Sequence, residues 1–296
     1  MATRVIDDTK LQNIAVAIQG KDSGGTMTVD EMPTRIAAIP TGDEVLFSSY
    51  GRQYTRTVEI PDGVTTLGEY AFQGCTGLTE ITLPDSLTTI NSNAFQGCTG
   101  LTEIDLNNVT TIKGFAFQAC TKLHSINLEN ITTFSAPYVF DGCTALKKIN
   151  CKSATSISSS CFNWCTSIES AICKNATVLN TNAFLGNVGL KYIDIRNVTQ
   201  IKNGAFSRCK SLSLIDLTGG NTVCSLDHAD AFYLASNTWT AVVANDNMKT
   251  QYQSATNWST FASHFRTIAE VEAEVGMTYD EYYYQLFGEP RNEVTP

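Results

Sequence analysis

The sequence has no apolar run that approaches the roughly 18 residues of a transmembrane helix, so we expect no membrane insertion. Basic residues are also scarce, since 20 Lys and Arg stand against 29 Asp and Glu, for a net charge of −9. Nucleic acids and anionic membranes repel an acidic chain, which argues against both as partners. The opening Met-Ala-Thr-Arg-Val-Ile-Asp-Asp lacks the apolar segment of a secretory signal, so we expect no signal-dependent export.

The chain also lacks the patterns that carry catalysis or bind metals. It has three histidines, His124, His228 and His264, and no two of them have the spacing of metal ligands. No Gly-x-Ser-x-Gly, Gly-x-x-x-x-Gly-Lys or His-Glu-x-x-His motif occurs. We therefore predict a protein without enzymatic activity, cofactor or metal.

What the sequence has in abundance is an internal repeat. A phenylalanine recurs every 22 or 23 residues, at Phe72, Phe95, Phe117, Phe140, Phe162, Phe184 and Phe206. Three residues after each Phe comes a slot that holds Cys75, Cys98, Cys120, Cys143, Cys165, Asn187 and Cys209. A Leu or Ile follows three residues later, and then an alternating apolar pair such as Ile81 and Leu83.

This repeat predicts a solenoid. A single unit cannot bury its own apolar side chains, whereas stacked units merge them into one continuous core. The alternating pair has the two-residue period of a strand, with Ile and Leu inward, and stacked strands form a parallel sheet. We expect about seven coils over residues 44–232, mostly β structure with short turns and helices.

The segment from Ile60 to Leu83, which contains Ala-Phe-Gln-Gly-Cys-Thr-Gly-Leu, resembles the BspA-like, or Treponema-type, leucine-rich repeats. The resemblance covers about residues 54–232 and implies a leucine-rich-repeat solenoid. Members of that class are mostly surface proteins of bacteria, protists and phages that serve in adhesion. The resemblance therefore implies a binding protein, but it does not identify the ligand.

The N-terminal flank, residues 1–43, differs in kind. An apolar helical period from Leu11 to Ile18 and a capping-box pattern at 28–31, ahead of Ile36, predict a helical hairpin. This segment resembles an N-terminal module of phage and prophage tail proteins, which implies attachment to other virion proteins. Covering the open end of the solenoid is the alternative, and both can hold.

The C-terminal flank, residues 233–296, predicts a cap followed by an acidic, aromatic helical tail. Met248, Tyr252 and Trp258 are expected to pack against the last coil. The segment 278–287 reads as a helix with an aromatic face. That face either tucks onto the cap or docks on another subunit of a homo-oligomer.

The cysteine slot allows more than one interpretation. A metal site needs short Cys-x-x-Cys spacing, which the nearest pair, Cys161 and Cys165, does not have. Disulfides are possible in distance, because coils stack at about 5 Å, but parallel Cβ vectors suit them poorly. We favour small, buried, reduced thiols, and Asn187 in the same slot agrees with this interpretation.

The outward positions of the strands form the candidate ligand surface. They make a polar stripe with apolar interruptions, comprising Asp105, Asn127, Asn150, Ile172, Tyr192, Asp194, Leu214 and Asp216. A sheet face in water is polar in any case, so the stripe is either an ordinary solvated face or a ligand surface. Tyr192 beside Asp194 suits a sugar, through ring stacking and hydroxyl hydrogen bonds.

These features predict a non-enzymatic binding protein. The leading hypothesis is a tail-associated virion protein, assembled in the bacterial cytoplasm, that recognises a host surface protein or glycan. The alternatives are a bacterial cell-surface adhesin and a purely structural virion decoration protein.

Overall fold

The computed structural model describes residues 35–37, 57–60, 62–106 and 108–291, and its short strands form two rows. The first row, which we call the front strands, comprises β1 (Arg35–Ala37), β2 (Thr57–Glu59), β4 (Glu80–Thr82), β6 (Glu103–Ile104), β8 (Ser125–Ile126), β10 (Lys148–Asn150), β12 (Ser170–Ile172), β14 (Tyr192–Asp194), β16 (Leu214–Asp216), β18 (Thr240–Val243) and β19 (Phe265–Thr267). The second row comprises β3 (Thr66–Leu67), β5 (Thr89–Ile90), β7 (Thr111–Ile112), β9 (Thr133–Phe134), β11 (Ser156–Ile157), β13 (Val178–Leu179), β15 (Gln200–Ile201) and β17 (Ser225–Leu226). The helices are α1 (Asp246–Ser254), α2 (Ile268–Val275) and α3 (Tyr279–Phe287), with 3₁₀ segments at Ala229–Phe232 and Trp258–His264.

Paired strands run parallel, and their register matches equivalent repeat positions. Ile193, for example, lies opposite Ile215. The chain is a parallel solenoid of about ten turns, which confirms the predicted fold class. It has more turns than the seven expected, because strands before and after the regular repeat join the same sheets.

The phenylalanine ladder runs through the centre of the core. All seven predicted rings are buried, and consecutive rings stack with centroids 5.0–5.9 Å apart. Phe232 extends the ladder by stacking on Phe206 at 5.3 Å. The spacing of the rings follows from the coil repeat of a parallel sheet, about 4.8 Å.

Each regular coil passes through left-handed backbone on both sides of its Phe. The residue two positions before Phe140, Tyr138, has a φ of 62°, and the residue two positions after Phe162, Trp164, has a φ of 54°. Glycine occupies the second position in several coils, for example Gly142 and Gly186. We call the surface formed by the residues two before, one after and two after each Phe the turn edge.

The cysteine slot has a hydrogen-bonding role in addition to packing. Each thiol donates to the backbone carbonyl of the Phe in the preceding coil, at Sγ···O distances of 3.0–3.2 Å for Cys98, Cys120, Cys143, Cys165 and Cys209. Asn187 does the same with its amide, which donates to the Phe162 carbonyl at 2.9 Å. The slot therefore selects a small side chain that can donate, a requirement that the sequence analysis did not identify.

We expect Asn187→Cys to stabilise the protein by about 1 kcal/mol. Asn187 is fully buried, and its Oδ1 has no hydrogen-bond partner. Cysteine keeps the donor to Phe162 and removes the unsatisfied acceptor, whose burial is unfavourable. Urea unfolding measures the change, and Asn187→Ala, which removes the donor as well, is the control. A loss of stability in Asn187→Cys would contradict this role of the slot.

The ten cysteines, all in the described part of the chain, are buried thiols without disulfide bonds. Burial raises the pKa of the Cys161 and Cys165 thiols, and it raises the pKa of Cys224 to about 12. Because the thiolate is the reactive form, we expect the native protein to react slowly with a thiol reagent at pH 8. After denaturation all ten thiols should react at once. Fewer than ten without prior reduction would indicate a disulfide.

On the N-terminal side, β1 pairs in parallel with β2, with Ile36 opposite Val58. The prediction of a helix through Ile36 is therefore wrong at Arg35–Ala37. The edge of β2 offers unpaired backbone groups, and an added strand satisfies them, whereas a helix would leave them open. The rest of residues 1–43, including the predicted helix from Leu11 to Ile18, lies outside the described residues.

On the C-terminal side, the parallel sheet continues past the expected boundary at residue 232. β18 pairs with β16, and β19 pairs with β18, so the solenoid extends to Thr267. As predicted, Met248, Tyr252 and Trp258 are buried at this end. The Tyr252 hydroxyl accepts from the Cys224 N–H at 2.9 Å, and the Trp258 Nε1–H donates to the Cys224 carbonyl at 2.6 Å.

Candidate functional site

The outward side chains of the front strands fall into two groups. Asp105 and Asn127 are exposed, and Asn150 is half-buried. The later members of the predicted ligand surface are covered: Ile172, Asp194, Leu214 and Asp216 are buried, and Tyr192 is half-buried. The expectation that Ile172, Asp194, Leu214 and Asp216 face solvent is therefore wrong, whereas Tyr192 is partly accessible.

The cover is formed by residues 268–291, which we call the strap. Val271 of α2 packs against Leu214, and Tyr283 and Phe287 of α3 pack against Ile172. The Tyr192 and Phe287 rings meet edge to face, with centroids 6.4 Å apart. The aromatic face of the tail thus docks on the front strands of its own chain.

Local signals in the sequence place the two strap helices. Thr267 and Thr278 each begin a helix with a capping box, in which the Thr side chain accepts from the N–H of the Glu three residues later. Each helix ends at a glycine in the left-handed conformation, Gly276 with a φ of 72° and Gly288 with a φ of 78°.

Charged side chains are buried where the strap meets β14. Asp194, fully buried, accepts from Arg196 Nη2 at 2.6 Å, from the Arg196 backbone N–H at 3.1 Å and from the Tyr283 hydroxyl at 2.8 Å. The Arg196 guanidinium also lies over the Tyr283 ring, 5.2 Å from its centroid. This ion pair fastens α3 to the sheet, which is a structural role.

Asp216, on the next strand, is the second buried carboxylate. It accepts from the Thr218 hydroxyl at 2.6 Å, and its Oδ2 lies 3.8 Å from Arg196 Nη2 and 3.7 Å from Arg291 Nε. Burial raises the pKa of Asp216, the Asp194 carboxylate raises it further, and Arg196 and Thr218 oppose both. Two arginines thus offset two buried acids beneath the strap.

The outward Asn and Asp positions also close a turn after each strand. The side-chain oxygens of Asn127, Asn150, Asp194 and Asp216 accept from the backbone N–H two residues on, at 2.9–3.1 Å. This is the Asx turn that favours Asn and Asp at such sites. The residue type at these positions is therefore set partly by the fold and not by a ligand.

A pocket of about 460 Å³ lies where the uncovered front strands meet the end of the strap. Its floor is formed by β8 and β10, and Phe287 and Glu289 form the wall on the strap side. Asn150 lines the pocket, and its Nδ2 donates to Glu289 Oε1 at 2.7 Å and to Glu129 Oε1 at 3.0 Å. This pocket is the candidate functional site of the front face.

The rim of this pocket carries charges of both signs. The exposed His124, Lys147 and Lys148 line the pocket together with the acidic residues Glu129 and Glu289. Glu129 also pairs with Lys152 at 2.7 Å. Such a rim can bind a charged group of a partner, but it does not assemble a nucleophile with a base.

Among the residues that the structure describes, no group of three or more His, Cys, Asp or Glu side chains could hold a metal ion. No helix in the described ranges is long and apolar enough to cross a membrane.

Comparison with known proteins matches the repeat. The BspA type leucine rich repeat region family matches in six copies, over residues 47–169, 107–213 and 136–238. A leucine-rich repeat protein from Bacteroides ovatus is 23% identical, with a TM-score of 0.51, and the match covers 71% of this chain and 62% of that one. This likeness supports the solenoid fold, and the match spans less than two thirds of the Bacteroides protein.

Two other solved structures are similar. A leucine rich cell surface protein from Faecalibacterium prausnitzii is 25% identical, with a TM-score of 0.40 and coverage of 57% of this chain and 61% of that one. The T. pallidum leucine rich repeat protein is 24% identical, with a TM-score of 0.43 and coverage of 61% and 79%. No curated protein matches the chain.

Proposed function

Because this chain belongs to the BspA type leucine-rich-repeat family, we propose that it is a binding protein of the bacterial cell surface, which recognises a protein or another surface molecule through its uncovered front strands. Solenoids present long, regular faces, and partners use the positions that do not repeat. The observation that carries the proposal is the division of the front face, in which the strap leaves only the part from β2 to β10 open.

The charges on the open part of the front face differ along its length. Glu80, Glu103 and Asp105 make its first strands acidic, whereas the pocket end carries Lys147 and Lys148 beside Glu129 and Glu289. A partner with a basic segment and an acidic segment in the corresponding order complements this surface. Such complementarity sets specificity and the association rate more than it sets affinity.

The proposal is tested by binding of the labelled full-length chain to intact cultured epithelial cells, measured by flow cytometry. We expect saturable binding that Lys148→Glu weakens roughly tenfold, because it places like charges together at the pocket. The matched control is Lys122→Glu, the same charge change on an exposed residue outside the pocket lining. No saturable binding, or equal losses in both variants, would refute a role for the front face.

The virion role remains a prediction that rests on residues 1–43 and their resemblance to tail modules. Its test is deletion of residues 1–43 in a producing strain, followed by mass spectrometry of purified particles. Loss of the protein from particles, with the solenoid still folded, is the result expected of a virion component. Detection on intact cells without any particle is the result expected of the surface adhesin that we favour.

A further inference from the structure

We propose a second binding site, for neutral polysaccharide, on the turn edge around Tyr138, Asp141, Asn163 and Trp164. It uses the turn edge and not the front strands, so it goes beyond the proposed function and does not depend on it. Three properties of these residues carry the inference: exposed aromatic rings in left-handed backbone, a ladder of polar side chains between them, and backbone amides that are already bonded.

The two aromatic residues occupy left-handed backbone positions, where Gly and Asn are the least strained residues. Tyr138 and Trp164 are 36% and 43% exposed, although both have left-handed φ values, 62° and 54°. A side chain there costs roughly 1–2 kcal/mol in backbone strain. At the position of Trp164, four of the other six coils carry glycine, for example Gly186, whereas the position of Tyr138 holds Asn in two coils, for example Asn93, and other aromatic rings, Tyr70 and Phe115, in two. Because these exposed rings are retained in spite of the backbone strain, we infer that they have a role other than stabilising the fold.

The Trp164 ring is held flat, with one face against the next coil. A Cβ on Gly186 would lie 2.6 Å from Trp164 Cε3 and 2.7 Å from Cδ2, so the ring covers the backbone of that glycine. Because the residue is 43% exposed, its other face is open to solvent. Tyr138 stacks on Phe115, with centroids 5.1 Å apart and planes inclined by 16°. Fixed aromatic faces of this kind stack on the C–H faces of sugar rings.

A hydrogen-bonded ladder of polar side chains runs between the two aromatic positions. Gln118 Nε2 donates to Asp141 Oδ2 at 2.8 Å, and Asn163 Nδ2 donates to Asp141 Oδ1 at 2.8 Å. The Asp141 N–H donates a hydrogen bond to the Tyr138 carbonyl at 3.4 Å, so Tyr138 lies in the same turn as the Asp141 end of the ladder. At the other end, Trp164 directly follows Asn163 in the chain. The carboxylate oxygens of Asp141 and the amide N–H groups of Gln118 and Asn163 have further acceptor and donor capacity, which suits hydroxyl groups, whereas the Asn163 Oδ1 is buried.

The backbone amides at the two aromatic positions are already bonded. The Tyr138 N–H donates to the Ser159 carbonyl at 3.1 Å, and the Trp164 N–H donates to the Leu185 carbonyl at 2.8 Å. An extended peptide therefore cannot pair with these two amides. The groups that remain available for binding are the aromatic ring faces and the side-chain amides, which suit a polyhydroxylated, uncharged ligand.

The test is native affinity electrophoresis of the full-length chain in gels that contain hydroxyethyl cellulose, laminarin, xylan, mannan or, separately, gelatin. Two variants copy residues that other coils carry at the same left-handed positions, Tyr138→Asn and Trp164→Gly, so both are expected to fold. Tyr70→Asn is the matched control, because it removes an exposed ring from the same repeat position outside the site. Circular dichroism verifies the fold of all three.

We expect at least one polysaccharide gel to retard the wild type, with a dissociation constant that rises tenfold or more in both site variants and stays unchanged in Tyr70→Asn. No retardation in any polysaccharide gel, or equal retardation of all variants, overturns the proposal. Retardation by gelatin alone, lost in the site variants, assigns the edge to a protein partner and also overturns it. Binding to cells through the front strands is measured separately, so either proposal can fail alone.

Discussion

Replacing Asp194 with alanine is expected to lower the free energy of unfolding by about 3–5 kcal/mol, because the Arg196 guanidinium then stays buried without its closest counter-charge. Arg196 Nη2 lies 2.6 Å from Asp194 and 3.8 Å from Asp216, so the second carboxylate does not replace the first. The Tyr283 hydroxyl loses its acceptor at the same time. Urea unfolding followed by circular dichroism measures the loss, and limited proteolysis shows whether the strap is released.

The matched control for Asp194→Ala is Asn127→Ala. Asn127 occupies the same repeat position and makes the same Asx turn, with the Glu129 N–H at 3.0 Å, but it is exposed and has no arginine beside it. Its loss should be only about 0.5–1.5 kcal/mol, the worth of one hydrogen bond. Similar losses in the two variants would mean that the turn, and not the buried ion pair, carries the effect.

Phe162→Ala is expected to cost about 3–5 kcal/mol and to split unfolding into two phases. The Phe162 ring lies in the middle of the ladder, stacked on Phe140 at 5.3 Å and on Phe184 at 5.4 Å, with Phe134 edge-on at 5.9 Å. Because the core of each coil packs on the neighbouring coils, a cavity there weakens the coupling between the two halves of the array and leaves mainly the strap, which is bonded to Asn150, to join them. Urea unfolding monitored by circular dichroism and by tryptophan fluorescence should give transitions that no longer coincide.

Phe115→Ala is the control for the cavity in the core. Its ring is half-buried on the turn edge, so its removal should cost about 1 kcal/mol and leave one transition. A single cooperative transition in Phe162→Ala would contradict the view that coupling passes from coil to coil through the ring ladder.

The solenoid could be predicted from the sequence because every coil carries the same short pattern of core residues. Each Phe repeats the same constraint, so one correct alignment of the repeat places the rings and strands of the regular coils, including Val58 and Ile60 ahead of the first full coil. β18 and β19 could not be predicted in this way, because Trp239 and Phe265 enter the core from segments that no longer share the repeat.

The candidate site was harder to predict, because the strap joins two surfaces that are distant in sequence. The signal was present on both sides: Ile172, Tyr192 and Leu214 interrupt a polar stripe, and Tyr279, Tyr283 and Phe287 share one face of α3. No local sequence pattern indicates that these two surfaces meet within one chain, because docking between two copies of the chain would bury the same side chains. The left-handed backbone at Tyr138 and Trp164 could not be predicted either, because neither residue is the Asn or Gly that usually indicates this conformation.

The strap has a mechanical consequence. It leaves the last coil, crosses back over the front strands and ends with Glu289 bonded to Asn150 and Arg291 beside Asp216. Tension applied to the C-terminus is therefore delivered to the middle of the solenoid, and it loads the strap in shear along the sheet face. The final coils cannot be peeled away one at a time until the Asp194–Arg196 pair and the aromatic contacts of α3 have given way.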